Sequence, residues 1–283
     1  MNHLLSTHLF VNHRLTGATL AKIQQAGIGA VEIFCARQHL DWHDTAQIRE
    51  LGHWFRDSEL KIHSLHAPMY TDEVWGRSGP QSVLNITEPE KRKRIEIVDE
   101  IKRAIEIAEF VPFRYLIQHL GVSGEEYSDR KVESAFTALD ELTVYARQRG
   151  VEVLLENIPN ALSSAERLML FNEITHLKIN FCFDTGHAHL HEGVEEAFGI
   201  MKDHIRSTHV HDNNGSGDQH LFPLASENGT IDWRKTMDLF RPEARQFPLL
   251  LELREVPEIA NPLQKIRGIF EQLEDLPAPE RRE

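Results

Sequence analysis

Short apolar runs alternate with amphipathic helical stretches eight times in 283 residues, and no glycine-rich dinucleotide fingerprint follows the first run. Alternation of this kind predicts a parallel sheet with crossover helices. Eight units in this length predict a single-domain α/β fold, a (β/α)8 TIM barrel, over a doubly wound open sheet. The domain is expected to span residues 1–276, with 277–283 as a disordered tail.

The first strand is expected over Leu4–Val11, followed by a helix over Thr19–Ala26. The β-branched and apolar run Ala30–Phe34 is the second strand, and Asp44–Arg56 the next helix. Leu60–Leu65 is the third strand. Ile95, Val98, Ile101, Ile105 and Ala108 then recur at helical spacing within Glu88–Phe110. Tyr115–His119 is a strand, and Ser128–Arg149 a helix with Gly150 where its C-terminus should end. Val151–Glu156 and Ile179–Asp184 read as strands, with helices over Ser163–Asn172 and Val194–Lys202. Arg206–His211 is the seventh strand, and a helix follows Asp232, a suitable cap. Pro248–Glu252 is the eighth, and Asn261–Leu273 closes the pattern as a helix. The run Glu90-Lys91-Arg92-Lys93-Arg94 reads as a solvated helix face.

Composition removes several function classes. A formal charge of −13 argues against broad binding to a phosphate backbone, which needs clustered Lys and Arg. Apolar runs stay too short to cross a bilayer, so no membrane partner is expected. Met1–Val11 lacks the basic flank and small-residue site of a secretory signal. Cys35 and Cys182 make no disulfide framework, so a reducing cytoplasm is the expected compartment.

The informative number is 17 histidines. In a barrel of this type the chemistry sits at the C-terminal strand ends. His66, His119, Glu156, Asp184 with His187, His209 with His211, and Glu252 with Arg254 stand at six consecutive ends. Carboxylates converging on one partly desolvated mouth must be paired, neutralised or bound to a cation. Few arginines are available in those motifs. Mixed His and carboxylate donors without thiolate suit Mn, Zn or Co better than Mg. The pair Asp218 and His220, in the loop after the seventh strand, can reach a further ion together with His187. His8 and His63, taken alone, read as hydrogen-bonded core residues. His39, His43, His53, His176, His189, His191 and His204 fall on helices or loops and are expected at the surface.

Several motifs carry a resemblance: Leu154-Leu155-Glu156-Asn157, Phe183-Asp184-Thr185-Gly186-His187-Ala188, His209-Val210-His211-Asp212-Asn213, Asp218-Gln219-His220-Leu221, Gly229-Thr230-Ile231-Asp232-Trp233 and Leu249-Leu250-Leu251-Glu252-Leu253. In this order they resemble the xylose isomerase-like TIM barrel superfamily, in its sugar phosphate isomerase and epimerase group, from Ala18 to about Leu273. The superfamily also contains endonuclease IV, a zinc enzyme that cuts DNA at abasic sites. That likeness implies a three-zinc ligand set: His66, His119, Glu156, Asp184, His187, His209, Asp218, His220 and Glu252. Likeness to the ketose 3-epimerases implies a single metal on Glu156, Asp184, His209 and Glu252. The acidity of the chain, and the lack of Arg-rich strand-end loops, depart from endonuclease IV. Asp218-x-His220, where ketose epimerases tend to place a substrate-contacting arginine, departs from those enzymes. So does the longer loop between Leu221 and Gly229.

The expected function is a metal-dependent isomerase or epimerase of a small sugar, sugar phosphate or polyol derivative, working through a metal-stabilised enediolate. Glu156 and Glu252 are the expected proton-transfer pair, and one to three divalent ions the expected cofactor. His211, Arg254, Tyr70, Trp75 and Phe222 are candidate substrate contacts, and Arg254 could equally pair with Glu252. The alternatives are a zinc-dependent phosphodiesterase of the endonuclease IV kind and a non-catalytic metal-binding barrel. The partner is expected to be a small carbohydrate, with neither nucleic acid nor membrane involved.

Overall fold

The computed structural model describes residues 1–74 and 79–277. Trp75 and the expected tail from 278 onward lie outside the described residues. Eight parallel strands form one sheet in the order β7-β6-β5-β4-β3-β2-β1-β8. They are β1 (His3–Ser6), β2 (Ala30–Phe34), β3 (Lys61–His66), β4 (Tyr115–His119), β5 (Glu152–Glu156), β6 (Asn180–Asp184), β7 (Ile205–His209) and β8 (Leu249–Leu251). A bridge between Val210 and Leu251 joins the two edges and closes the barrel. Closure removes the unpaired edges an open sheet would expose.

The crossover helices are α1 (Gly17–Gln25), α2 (Thr45–Arg56), α3 (Lys91–Glu106), α4 (Asp129–Arg147), α5 (Ala165–Thr175), α6 (Thr185–Leu190), α7 (Val194–Met201), α8 (Trp233–Phe240) and α9 (Pro262–Asp275). Short polar side chains start most of them, α3 and α7 excepted, by accepting from otherwise unpaired main-chain N–H groups. Asp44 caps α2, Ser128 caps α4 and Asp232 caps α8. Gly150, with φ of 74°, makes the left-handed turn after α4 that a side chain would resist.

Most apolar side chains, among them Leu20, Ile101, Leu139, Phe181, Phe183, Phe240 and Phe270, fill one continuous core that includes the inner faces of the helices. Tyr115, Ile117, Leu154 and Cys182 form a separate small cluster. These four alternate along their strands with residues of the larger core, which places them inside the barrel. No helix among the described residues is long and apolar enough to cross a membrane.

Two expectations are corrected. The apolar run from Leu4 to Val11 is a strand only to Ser6; Thr7–Phe10 is a 3-10 turn. The Ser6 hydroxyl accepts the N–H of His8, and the Thr7 hydroxyl accepts that of Phe34, so local side-chain bonds replace the ladder. His39 is fully buried, not a surface residue. Its ring bonds the His13 carbonyl at 2.6 Å and the Thr7 hydroxyl at 3.0 Å, which satisfies both nitrogens away from water. His43, His53, His176, His189, His191 and His204 are exposed or half-buried.

Candidate metal centre

Each of β3 to β8 ends in a donor residue, because the last inward-facing position of every strand lies at the same mouth. His66, His119, Glu156, Asp184 and His209 are the last residues of β3 to β7, and Glu252 directly follows β8. The loop after β7 folds back over this mouth. Asp212 holds it there: its carboxylate accepts the N–H groups of Asn213, Thr230 and Ile231 and, at 2.6 Å, the indole N–H of Trp233. That fold brings Asp218 and His220 beside His187.

The donors fall into three groups whose ligand atoms all lie within 4.8 Å of one another. Glu156, Asp184, His209 and Glu252 form the first, all buried. His66 and His119 join Glu156 in the second, with His119 Nε2 at 3.1 Å and His66 Nε2 at 3.6 Å from Glu156 Oε2. His187, His211, Asp218 and His220 form the third. Glu156 thus belongs to two groups at once.

The ring orientations suit ligation. A main-chain carbonyl can only accept, so a ring nitrogen bonded to one must carry the proton. His66, His187, His211 and His220 each present Nδ1 to a carbonyl, those of Ala67, Asn157, Asp212 and Glu252. Their Nε2 lone pairs are left for the donor groups. His209 is reversed. Its Nε2 faces Glu32, and its Nδ1 lies 3.2 Å from Glu156 and 3.4 Å from Glu252.

Buried polar atoms are normally hydrogen-bonded. Glu156 Oε1, His209 Nδ1 and Glu252 Oε1 are buried without a hydrogen-bond partner. All three belong to the first group, which is what a set of donors shaped for a cation requires. The donor chemistry agrees: nitrogen and carboxylate oxygen, with no thiolate. Burial pushes the Cys182 thiol up, so it stays neutral.

The electrostatics point the same way. Burial works to raise the Glu156 carboxyl, yet His209 and His119 hold it well below the usual carboxylate range. Asp184 is likewise lowered against burial, by His187 and His211. Burial opposes a charge on His187 and His209, but the surrounding carboxylates raise both well above the usual histidine value. His220 is lifted to about 9, with Asp218 overcoming burial. The carboxylates therefore draw protons onto the histidines in place of a cation.

The structure brings all nine expected ligands to this mouth, and His211, expected as a substrate contact, joins the third candidate group there. Phe222 is a correction: it is buried in the main core and anchors its loop, with no face left for a sugar. Tyr70 is half-buried and lines a narrow cleft of about 10 Å³ with His66, Met69, Leu84, Gln118 and His119. Arg254 is exposed, its N–H bonded to the His220 carbonyl, and it makes no ion pair with Glu252. Larger clefts lie elsewhere, such as one of about 400 Å³ around Arg114 and Lys178, and no donor lines it. His8, read as a hydrogen-bonded core residue, is buried with Nδ1 on the Leu253 carbonyl at 3.1 Å, and it lies against His220, with ring centroids 4.8 Å apart. One residue went unseen. Glu32 sits inside the barrel, mid-strand, where a charged residue between Val31 and Ile33 was the available signal.

Comparisons with known proteins agree on the fold. The chain is 24% identical over 246 residues to uncharacterized protein y4fM of Sinorhizobium fredii, covering 80% of this chain and 78% of that protein. It is 28% identical over 232 residues to uncharacterized protein MJ1311 of Methanocaldococcus jannaschii, covering 77% and 72%. The match to MJ1614 of the same organism covers 50% of this chain and only 57% of that protein. Among solved structures, a D-tagatose 3-epimerase-like protein superposes with a TM-score of 0.76 at 23% identity, over 97% of both chains. The 3-keto-D-glucoside 4-epimerase YcjR of E. coli does so with 0.73 at 15%, over 97% and 99%. The IOLI protein, solved with a zinc atom bound, gives 0.72 at 16%, over 97% and 96%. The xylose isomerase-like TIM barrel family model matches residues 20–273, and the chain belongs to that family.

Proposed function

We propose that the chain is a divalent-metal-dependent isomerase or epimerase of a small sugar, sugar phosphate or polyol derivative. The observation that carries this reading is the buried tetrad of Glu156, Asp184, His209 and Glu252, three of whose atoms lack hydrogen-bond partners. The sugar epimerases among the structural neighbours support it. Neighbours solved with zinc or magnesium support a metal, and mixed His and carboxylate donors without thiolate favour Mn, Zn or Co over Mg.

A bound divalent ion would supply Lewis-acid polarisation of a substrate carbonyl. The protein's own part is proton transfer. Glu156 and Glu252 come from β5 and the end of β8, and both reach the same His209 nitrogen. One carboxylate takes the proton from the carbon beside the carbonyl, and the other returns it on the opposite face, which inverts the centre. Return one carbon away gives the isomer instead. Tyr70 and Arg254 stand at the mouth to orient hydroxyl groups, while His211 sides with the third donor group.

Deuterium uptake tests this. A panel of ketoses and aldoses, with and without phosphate, is incubated in D2O with protein loaded with Mn, Zn or Co. Exchange at the carbon next to the carbonyl is expected, falling by about 10²–10⁴ in Glu156→Gln and Glu252→Gln. Full exchange in both variants would refute the assignment. The three adjoining donor groups favour a second reading, a zinc-dependent phosphodiester hydrolase, since bridged ions clamp attacking and leaving oxygens. Cleavage of abasic-site DNA by the zinc-loaded protein, without exchange on any sugar, would select it.

A further inference from the structure

Glu32 is a carboxylate inside the barrel, on β2, with no exposed surface. Among the described residues it has no lysine or arginine partner. Its Oε1 accepts the Ser6 hydroxyl at 3.1 Å, and its Oε2 the Ser64 hydroxyl at 2.8 Å. The remaining contact runs across the barrel interior to His209 Nε2, at 3.0 Å and 3.1 Å from the two oxygens. A buried charge with one ionisable partner is costly, so its retention calls for a reason.

Four other histidines of the mouth, His66, His187, His211 and His220, present one ring nitrogen to a neutral main-chain carbonyl. His209 instead turns the nitrogen that faces away from the tetrad to the Glu32 carboxylate. An ionised carboxylate only accepts, so Nε2 holds a proton, and a cation entering the tetrad would displace any proton on Nδ1 and take the lone pair there. A carboxylate behind a ligating imidazole also makes it a stronger donor. We propose that Glu32 is a positioning residue that commits His209 to ligation through Nδ1 and sets the metal affinity of the tetrad. This rests on the proposed metal-dependent reading, though not on the identity of the substrate. The serines complete the device: Ser6 on β1 and Ser64 on β3 fix the carboxylate from both sides.

The test is metal affinity, read by competition between the full-length protein and a chromophoric chelator for Zn²⁺, and by the Co²⁺ absorption spectrum. Glu252→Gln identifies the tetrad ion. Glu32→Gln keeps the volume and one acceptor oxygen but loses the charge. The expected result is a dissociation constant raised about 10–100-fold for that ion, a shifted Co²⁺ spectrum and a metal-free melting temperature within a few degrees of wild type. A dissociation constant within twofold of wild type, with an unchanged spectrum, would overturn the proposal. So would a lowered melting temperature with unchanged affinity, the mark of a purely structural brace. If Glu32→Gln does not fold, Ser64→Ala decides: several-fold weaker binding supports the role, and unchanged binding overturns it. Failure of the underlying reading is distinct, because Glu252→Gln would then leave zinc binding by the wild-type fold unaltered.

Discussion

Glu156 is shared between two donor groups, so its loss should empty both. Glu156→Gln removes the charge that His119 and His66 face at 3.1 and 3.6 Å and that His209 and His187 face at 3.2 and 3.1 Å. Closed four-ligand zinc sites bind with roughly 10–16 kcal/mol, or about 2.5–4 kcal/mol per ligand. At about 1.4 kcal/mol per factor of ten, losing one ligand weakens each affected ion about 10²–10³-fold. Glu252 belongs only to the tetrad, and neither residue belongs to the group of His187, His211, Asp218 and His220. Elemental analysis after dialysis against a zinc buffer should therefore rank wild type above Glu252→Gln, and Glu252→Gln above Glu156→Gln. Wild-type metal content in Glu156→Gln, or a larger loss in Glu252→Gln, would refute the sharing of Glu156.

Three further substitutions probe the scaffold. A Cβ on Gly186 would fall within the His211 ring, so Gly186→Ala should cost about 1–3 kcal/mol and deplete the third donor group, read by thermal melting and metal content. Asp212→Ala strands the main-chain N–H groups of Asn213 and Ile231 and the Trp233 indole, while Thr230 keeps the Asn213 carbonyl; it should cost about 3 kcal/mol while speeding amide exchange over residues 213–231. Unchanged exchange would show that the loop is held by other contacts. Burial lowers His39 to about 4, so the unfolded chain, at about 6.5, binds the proton first. Stability is then fully present above about pH 6.5 and lost toward pH 4, by up to about 3 kcal/mol. His39→Gln should flatten that acid limb in urea titrations, and an unaltered limb would place the effect elsewhere.

The eight strands were legible because each lies in a short apolar run between helical stretches; Ala30–Phe34 and Tyr115–His119 match to the residue. What periodicity does not record is competition from local hydrogen bonds. Leu9, Phe10 and Val11 are as apolar as a strand, yet the Ser6 and Thr7 hydroxyls turn the chain there. The helix Thr185–Leu190 carries a glycine and two histidines with no apolar stripe, so no periodic signal marks it. The bulges opposite Glu32 and at Cys182 shift register without any compositional trace. The nine candidate ligands were legible for a topological reason, since a barrel gathers its strand ends at one mouth. Glu32 left no such trace: it is mid-strand, and its partner His209 is 177 residues away. His39 escaped for the same reason, its acceptors being a carbonyl and a hydroxyl on another segment.

Five carboxylates, Glu32, Glu156, Asp184, Asp218 and Glu252, meet at this mouth, and their ion-pair partners are all histidines. A fold built for stability alone would place arginine there, since its charge does not depend on pH. Histidine offers an exchangeable one. Without metal, the carboxylates lift His187 and His209 well above the usual value against burial, and His220 to about 9. These rings are then protonated at neutral pH. Ligation requires the neutral ring, so each histidine that takes up metal must release its proton. Metal and proton are alternative occupants of one site. The apparent affinity should rise with pH up to about 9 for the ion held by His220, by about tenfold per pH unit for each proton displaced. Calorimetric zinc titrations in two buffers of different ionisation enthalpy count those protons directly. Release of at least one proton per chain between pH 7 and 8 is expected; no release would mean that the histidines are neutral beforehand and that the carboxylates are balanced by something else.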